Sequence, residues 1–135
     1  MTIAVDFDGT IVEHKYPKIG KERPFAIETL KALQAEGHRL ILWTSRDGEL
    51  LEEAVEFCRK NGLTFYAVNS STPSDALFAG RPTGFSSKIQ ADIYIDDRNV
   101  GGLPEWGVIY EIITKKHRER HQRRRKGLFS RLRRK

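Results

Sequence analysis

The sequence predicts an α/β fold in which helices cover both faces of a doubly wound, Rossmann-like parallel sheet. Short apolar runs typical of buried strands alternate along the chain with longer segments of helical periodicity. The chain has 135 residues, of which 39% are hydrophobic. It is therefore long enough to bury one core and too short for two.

Four apolar segments predict strands. They are residues 2–7 (TIAVDF), 39–44 (RLILWT), 64–68 (TFYAV) and 91–96 (ADIYID). Because helical patterns separate the first three, we expect right-handed crossovers between parallel strands. Residues 69–87 are rich in Ser, Pro and Gly and predict a loop.

Helical spacing of apolar residues predicts the helices. Residues 24–36 end before Gly37 and place four side chains on one face: Phe25, Thr29, Leu30 and Leu33. Residues 49–61 end before Gly62 and place four more: Leu51, Ala54, Val55 and Cys58. After Gly101 and Gly102, residues 104 to about 125 fit a helix whose inward side chains are Trp106, Ile109, Tyr110 and Ile113. Residues 108–113 (VIYEII) also fit a fifth strand, and periodicity does not separate the two.

Charge divides the chain. Residues 115–135 carry 12 of the 24 Lys and Arg but one of the 18 acidic residues, which leaves 12 basic and 17 acidic residues in 1–114. We therefore expect an acidic domain over 1–114 and a basic C-terminal extension over 115–135. The extension's arginines suit nucleic-acid phosphates, and its three apolar residues amid arginines suit an anionic membrane surface. A solvated extension without a dedicated partner is the third interpretation.

Neither cysteine content nor hydropathy indicates secretion or a membrane. The single cysteine, Cys58, excludes an internal disulfide. The longest apolar run, LILW at 40–43, is far shorter than the roughly 20 residues of a membrane-spanning helix. We expect a cytoplasmic protein without a transmembrane segment.

Polar side chains stand at the predicted strand ends. Asp6 and Asp8 end strand 1, Thr44 and Ser45 end strand 2, Asp96 and Asp97 end strand 4, and Lys88 precedes strand 4. Ligands of parallel α/β sheets bind at this edge, so the four carboxylates would cluster if strand 4 lies beside strand 1. Clustered carboxylates repel unless a cation offsets them, and an all-oxygen ligand set favours Mg²⁺. Lys88 and the Thr44 hydroxyl would then contact a phosphate.

A pair of aspartates two residues apart suits phosphoryl transfer. One carboxylate can attack phosphorus, and the other can protonate the leaving oxygen and then activate water. Gly9 allows a tight turn beside the phosphate, and Thr10 can hydrogen-bond to hold that turn. We therefore expect Gly9, Thr10 and Ser45 to belong to the phosphate-binding residues.

Four motifs occur in this order: DFDGT (6–10), LILWTS (40–45), Lys88 and YIDD (94–97). With them, the sequence resembles the haloacid dehalogenase superfamily of aspartyl-phosphate phosphatases over residues 2–114. The resemblance implies that Asp6 is the nucleophile and that Asp8 is the general acid/base, with its main-chain carbonyl on Mg²⁺. It also implies a strand order of 5-4-1-2-3, with Thr44 and Lys88 on the phosphoryl group.

The resemblance also implies a metal site. Asp6 and Asp96 would be metal ligands, and Asp97 would be a ligand or would support one. Gly101 stands where many members carry an acid or Asn, and Asn99 lies nearer to the aspartate pair.

The gaps at 11–23 and 47–87 are too short for a cap domain, so we expect a capless member. Such an open site suits a large substrate or a lid from a second copy of the chain. The expected rims are residues 13–23 and 78–87, the latter with Arg81, and Arg46 beyond Thr44 is expected to contact substrate.

The predicted function is Mg²⁺-dependent hydrolysis of a phosphomonoester through an aspartyl-phosphate. The substrate is unidentified, and large or nucleic-acid-related molecules are among the candidates. The alternative is a phosphate- or nucleic-acid-binding module with the same fold and little catalysis. A receiver-type phosphoacceptor domain is disfavoured because its aspartate belongs on strand 3, where TFYAVNS has none.

Overall fold

A computed structural model describes residues 1–73 and 88–134, and these residues form four strands and three helices. In chain order they are β1 (Thr2–Val5), α1 (Ala26–Ala35), β2 (Arg39–Leu42), α2 (Gly48–Lys60), β3 (Ala67–Val68), β4 (Ile93–Ile95) and α3 (Trp106–Arg133). The predicted α/β class with a parallel sheet is confirmed. The strands are shorter than their apolar runs, and α3 extends beyond residue 125.

The sheet has four strands in the order β3-β2-β1-β4, and every pairing is parallel. The adjacency of strands 1 and 4 is therefore confirmed. The predicted order 5-4-1-2-3 needs correction, because the described residues contain no fifth strand. Residues 108–113 lie within α3 instead.

The register brings three strand ends to one level. Val5 pairs with Leu42 on one side and with Ile95 on the other. The Asp6 N–H donates to the Ile95 carbonyl at 2.9 Å, and the Trp43 N–H donates to the Val5 carbonyl at 2.8 Å. Residues that follow these strands therefore emerge together at the carboxyl edge of the sheet.

Both faces of β1 are buried. Ile3, Ala4 and Val5 are 0% exposed, as expected of a parallel strand that is covered on both sides. One face carries a buried cluster of Ala4, Ile41, Ala67 and Ile89. Cys58 is 0% exposed and is a core residue, as predicted, and this burial raises the pKa of its thiol to about 12.

One predicted core position is wrong. Phe25 is 68% exposed because it precedes α1 in a left-handed conformation (φ 64°), which takes its side chain off the apolar face. The other three residues of that face are buried.

The chain divides into two compact units, Met1–Leu103 and Pro104–Lys135. The predicted boundary between residues 114 and 115 lies inside α3, which continues without a break. Trp106, Ile109 and Ile113 are buried, whereas every residue from 118 to 134 is exposed. Among the described residues, no helix has the length and apolar content needed to cross a bilayer.

Candidate active site

Three carboxylates meet where β1 and β4 end. Asp6, Asp96 and Asp97 each place an oxygen within 4.8 Å of the others, and all three are half-buried. This follows from the register, because Asp6 directly follows Val5 and Asp96 directly follows Ile95. The grouping predicted from the sequence is therefore present for three of the four aspartates.

The Thr10 hydroxyl links two of these carboxylates. It lies 3.0 Å from Asp6 Oδ2 and 3.2 Å from Asp97 Oδ1, and it accepts the Asp97 N–H at 3.0 Å. Because the hydroxyl has one hydrogen, it fully satisfies one carboxylate at a time. Thr10, predicted to bind phosphate, thus contacts the carboxylates themselves.

Gly9 supports the cluster through its missing side chain. Its φ is +87°, and a Cβ there would lie 2.4 Å from Asp97 Oδ2. Its N–H donates to the Val12 carbonyl at 2.7 Å. Gly9 therefore makes room for the Asp97 carboxylate, whereas the sequence predicted close approach to phosphate.

Gly9→Ala is expected to lower the free energy of unfolding by about 1–2 kcal/mol for the left-handed backbone and to displace Asp97. Gly37→Ala is the matched control, because its φ is +93° and nothing lies within 4 Å of its Cβ position. Both variants should lose stability in urea unfolding. Only Gly9→Ala should weaken Mg²⁺ binding in calorimetry, and equal binding by the two variants would contradict this reading of Gly9.

The cluster has the electrostatics of a cation site. The pKa of Asp6 is raised to about 7, and burial is the largest cause. The hydrogen bond from Thr10 lowers the pKa, whereas the neighbouring Asp96 and Asp97 contribute to raising it. A divalent cation would offset this repulsion, and carboxylate oxygens are the ligands that hard cations prefer.

Asp6→Asn is expected to stabilise the metal-free protein at neutral pH. Unfolded Asp6 titrates near 3.8 and folded Asp6 near 7, so wild-type stability falls as pH rises through that window. Asparagine does not ionise and still accepts from Thr10. In EDTA at pH 8, Asp6→Asn should have a higher melting temperature than the wild type, and near pH 4 the two should melt alike. Equal melting temperatures at pH 8 would contradict this prediction.

Asp8 is separated from the cluster by an ion pair. Arg46 Nε and Nη2 donate to Asp8 Oδ2 and Oδ1, both at 2.7 Å, and Asp8 raises the pKa of the guanidinium. The Arg46 side chain is 0% exposed and that of Asp8 is 10% exposed. The Asp8 carboxylate is thus absent from the three-carboxylate group.

The predicted contact between Arg46 and substrate needs correction. Besides Asp8, the guanidinium donates to the carbonyls of Pro17, Lys18 and Leu50 at 3.1–3.4 Å. It also lies 5.2 Å from the centre of the Tyr16 ring. Arg46 is therefore a buried positioning residue for Asp8 and the nearby loop, rather than a phosphate ligand.

Asn69 fixes the end of β2, a role that the sequence did not indicate. Its Oδ1 accepts the Thr44 N–H at 2.8 Å, and its own N–H donates to the Leu42 carbonyl at 2.7 Å. The Thr44 hydroxyl accepts the Arg46 N–H at 3.1 Å. Its hydrogen remains available to a ligand, because an accepting hydroxyl can still donate.

A cleft of about 540 Å³ opens over these residues. It is lined by Asp6, Asp8, His14, Tyr16, Trp43, Thr44, Ser45, Asp96 and Arg98. The predicted residues Thr44 and Ser45 therefore share one cavity with the first aspartate pair. His14, Tyr16, Trp43 and Arg98 were not predicted to line it individually, although the expected rim at 13–23 includes two of them.

The rim segment is closed by main-chain contacts. The Glu13 N–H donates to the Lys21 carbonyl at 2.8 Å, which closes residues 13–21 into a loop (the rim loop). Gly20 lies against this closure, since a Cβ there would be 2.1 Å from the Glu13 carbonyl oxygen. The rim loop thereby holds His14 and Tyr16 beside the carboxylates.

Lys88 stands apart from the residues that line the cleft. It is exposed, and its Nζ lies 5.2 Å from the centre of the Tyr94 ring. Tyr94 in turn packs against Trp43, with ring centres 5.4 Å apart. The predicted rim at 78–87, with Arg81, lies outside the described residues.

The turn after β4 bears on the rest of the predicted metal shell. The Arg98 N–H donates to Asp96 Oδ1 at 3.0 Å, which holds one oxygen of that carboxylate in the turn. Asn99 is exposed, and its N–H donates to the Asp96 carbonyl at 3.4 Å. Gly101 faces open space. Asp97 is therefore the third acidic group at the cluster.

The comparisons with known proteins identify one relative of known structure. A scan against protein-family models and a search of curated proteins find no match. A solved structure, that of a conserved protein from Bacteroides thetaiotaomicron, matches with a TM-score of 0.79 and 64% sequence identity, over 86% of this chain and 91% of that chain. On this identity and coverage, the chain belongs to the same family as the conserved Bacteroides thetaiotaomicron protein.

Proposed function

We propose that the protein is a Mg²⁺-dependent phosphomonoester hydrolase of the haloacid dehalogenase type. The observation that carries the proposal is the meeting of Asp6, Asp96 and Asp97 within 4.8 Å at one sheet edge. Asp8 and the hydroxyl-bearing end of β2 line the same cleft as Asp6. Carboxylates and hydroxyls in one polar cleft suit metal-assisted chemistry on a phosphoryl group.

Asp6, Asp96 and Asp97 are the residues that would hold Mg²⁺. Their fit rests on an all-oxygen donor set and on an Asp6 carboxyl whose pKa is raised to about 7, first by burial and then by its acidic neighbours Asp96 and Asp97. When bound, the ion supplies positive charge that stabilises the charge developing on the phosphoryl oxygens.

Asp6 is the proposed nucleophile. A carboxylate oxygen attacks phosphorus, the bond from phosphorus to the ester oxygen breaks, and that oxygen leaves with the electron pair and takes a proton from Asp8. Water then attacks phosphorus and gives its proton to Asp8. The bond between phosphorus and the Asp6 oxygen breaks, its electron pair stays on that oxygen, and inorganic phosphate is released from the restored Asp6 carboxylate. Thr10, 3.0 Å from Asp6 Oδ2, orients the carboxylate that attacks.

Asp8 is the proposed acid/base, and Arg46 is its positioning residue. Both Asp8 oxygens accept N–H groups of Arg46 at 2.7 Å. A proton therefore reaches Asp8 on a remaining lone pair, or after one of these bonds opens. The bidentate pair restricts which oxygen faces the leaving group.

The phosphoryl oxygens have candidate partners at the end of β2. The Thr44 hydroxyl and Ser45 line the cleft, and Asn69 fixes the Thr44 main chain. The resemblance assigns Lys88 to the same group, but Lys88 does not line the cleft, so the structure supports this role for Thr44 and Ser45 rather than for Lys88. Tyr16 and Trp43 give the cleft two aromatic walls for the rest of the substrate.

The test is release of inorganic phosphate from a panel of phosphomonoesters, comparing sugar phosphates, nucleotides, phosphopeptides and phosphorylated nucleic-acid ends. Each is assayed with the full chain in Mg²⁺ and in EDTA. Turnover that requires Mg²⁺ is the expected result. Silence across the panel by folded protein that binds Mg²⁺ in calorimetry would overturn the proposal in favour of a phosphate- or nucleic-acid-binding module.

A further inference from the structure

The second half of α3 is a strongly basic, exposed helix. We call residues 115–134 the basic segment. Eleven of its 20 residues are Lys or Arg, Glu119 is its acidic residue, and every side chain from residue 118 onward is exposed. Like charges along one helix repel one another, so this composition costs helix stability unless an anion offsets it.

The charge surrounds the helix. Successive residues are rotated by about 100° about a helix axis. By that rotation Lys115, Lys116, Arg124 and Arg125 occupy four different sides of α3, separated by about 80–100°. A ligand matched to this segment therefore presents negative charge on more than one side.

This distribution argues against a membrane surface. A helix that lies on a bilayer has an apolar face along its length and cations on the opposite face. The apolar residues of the basic segment, Leu128, Phe129 and Leu132, are confined to its last turns, and Arg125 stands one turn before Leu128 on the same side. Phe129 is 57% exposed, but apart from two histidines it is the segment's only aromatic residue. Binding of single-stranded nucleic acid by base stacking therefore has little support.

A duplex groove has phosphates on both sides of an inserted helix. An α-helix with side chains is about 10–12 Å across, close to the roughly 12 Å width of the major groove of B-DNA. The A-form major groove of duplex RNA is deep and narrow. Twenty residues of helix span about 30 Å, close to one turn of B-DNA.

We propose that the basic segment binds duplex DNA by entering the major groove and contacting phosphates on both walls. This activity is separate from the proposed phosphatase, since it depends on residues outside the cleft. Phosphate contacts carry little sequence information, so the binding should be salt-dependent and tolerant of sequence.

The experiment measures fluorescence anisotropy of a labelled 20-base-pair DNA with the full chain, in EDTA, at several KCl concentrations. EDTA separates this readout from Mg²⁺-dependent catalysis. We expect the logarithm of the association constant to fall linearly with the logarithm of the salt concentration. The slope should be steeper than about −3, which corresponds to at least four phosphate contacts. Single-stranded DNA, duplex RNA and anionic phospholipid vesicles are assayed in parallel.

The test variant replaces Lys115, Lys116, Arg124 and Arg125 with alanine, which retains helix propensity. The matched control replaces two lysines and two arginines of the first unit, all exposed and outside the rim loop, with alanine: Lys31, Arg39, Arg59 and Lys60. The test variant should lose at least about tenfold in affinity and show a shallower salt slope, while the control binds like wild type.

Four outcomes would overturn the proposal. They are an unaffected test variant, an equal loss in the control, binding to vesicles without binding to DNA, and duplex RNA or single strands bound as tightly as duplex DNA. Circular dichroism of the test variant shows whether its helix content is retained.

Discussion

Asp6→Asn is expected to lower Mg²⁺-dependent phosphate release by at least about 10³-fold, because an amide cannot replace a carboxylate as the attacking group. The loss should appear in kcat and persist at saturating substrate. Since the same variant is expected to melt at a higher temperature in EDTA, lost activity would not reflect unfolding. The measurement is steady-state phosphate release with the best substrate of the panel.

Asp47→Asn is the matched control for this variant. It makes the same chemical change at an exposed N-cap residue of α2 whose side chain makes no capping hydrogen bond. Its activity should remain close to that of wild type. Substantial turnover by Asp6→Asn would show that Asp6 is not the nucleophile. If that turnover still required Mg²⁺, the proposed metal site would be retained.

Arg46→Ala is expected to lower the free energy of unfolding by about 3–5 kcal/mol, the cost of leaving a largely buried charge unpaired. Asp8, whose side chain is 10% exposed, would lose two hydrogen bonds of 2.7 Å. The carbonyls of Pro17, Lys18 and Leu50 would lose their guanidinium donor as well. Urea unfolding followed by tryptophan fluorescence measures the loss.

Arg59→Ala provides the comparison with an exposed ion pair. Arg59 contacts Glu56 at 2.6 Å, but the two side chains are 62% and 44% exposed, so the change should cost well under about 1 kcal/mol. Arg46→Lys, which keeps the charge without the two-pronged geometry, should fall between these variants. Equal losses for Arg46→Ala and Arg59→Ala would contradict the structural role given to Arg46.

A double variant separates charge from packing. In the Asp8→Asn background no carboxylate is left unpaired, so removing Arg46 should cost less than it does in the wild type. If the cost is unchanged, the contribution of Arg46 lies in its contacts with the rim loop.

Local sequence patterns were sufficient for the four parallel strands but not for their order. Continuous apolar runs predicted strands buried on both faces, and the adjacency of strands 1 and 4 that the resemblance implied then predicted that Asp6 and Asp96, directly after two such runs, would meet. That inference succeeded because neighbouring parallel strands end at the same level once Val5 pairs with Ile95. The third carboxylate followed from its place beside Asp96.

Long-range contacts were beyond the sequence pattern. Arg46 follows the end of β2 and therefore suggested a substrate contact, but its partner Asp8 is 38 residues away and its other acceptors are main-chain carbonyls. Asn69 likewise acts on Thr44 across 25 residues. Helical periodicity also predicted Phe25 on the buried face of α1, where it does not lie, because periodicity does not encode the left-handed backbone before α1.

The rim loop is held largely through main-chain N–H and carbonyl groups. A main-chain hydrogen bond joins Glu13 to Lys21, and Arg46 donates hydrogen bonds to the carbonyls of Pro17 and Lys18. Substitutions at positions other than Gly20 can therefore change the loop's side chains while these main-chain contacts near Asp8 remain. Such changes alter the wall of the cleft to which His14 and Tyr16 belong, while the carboxylates beside that wall stay in place.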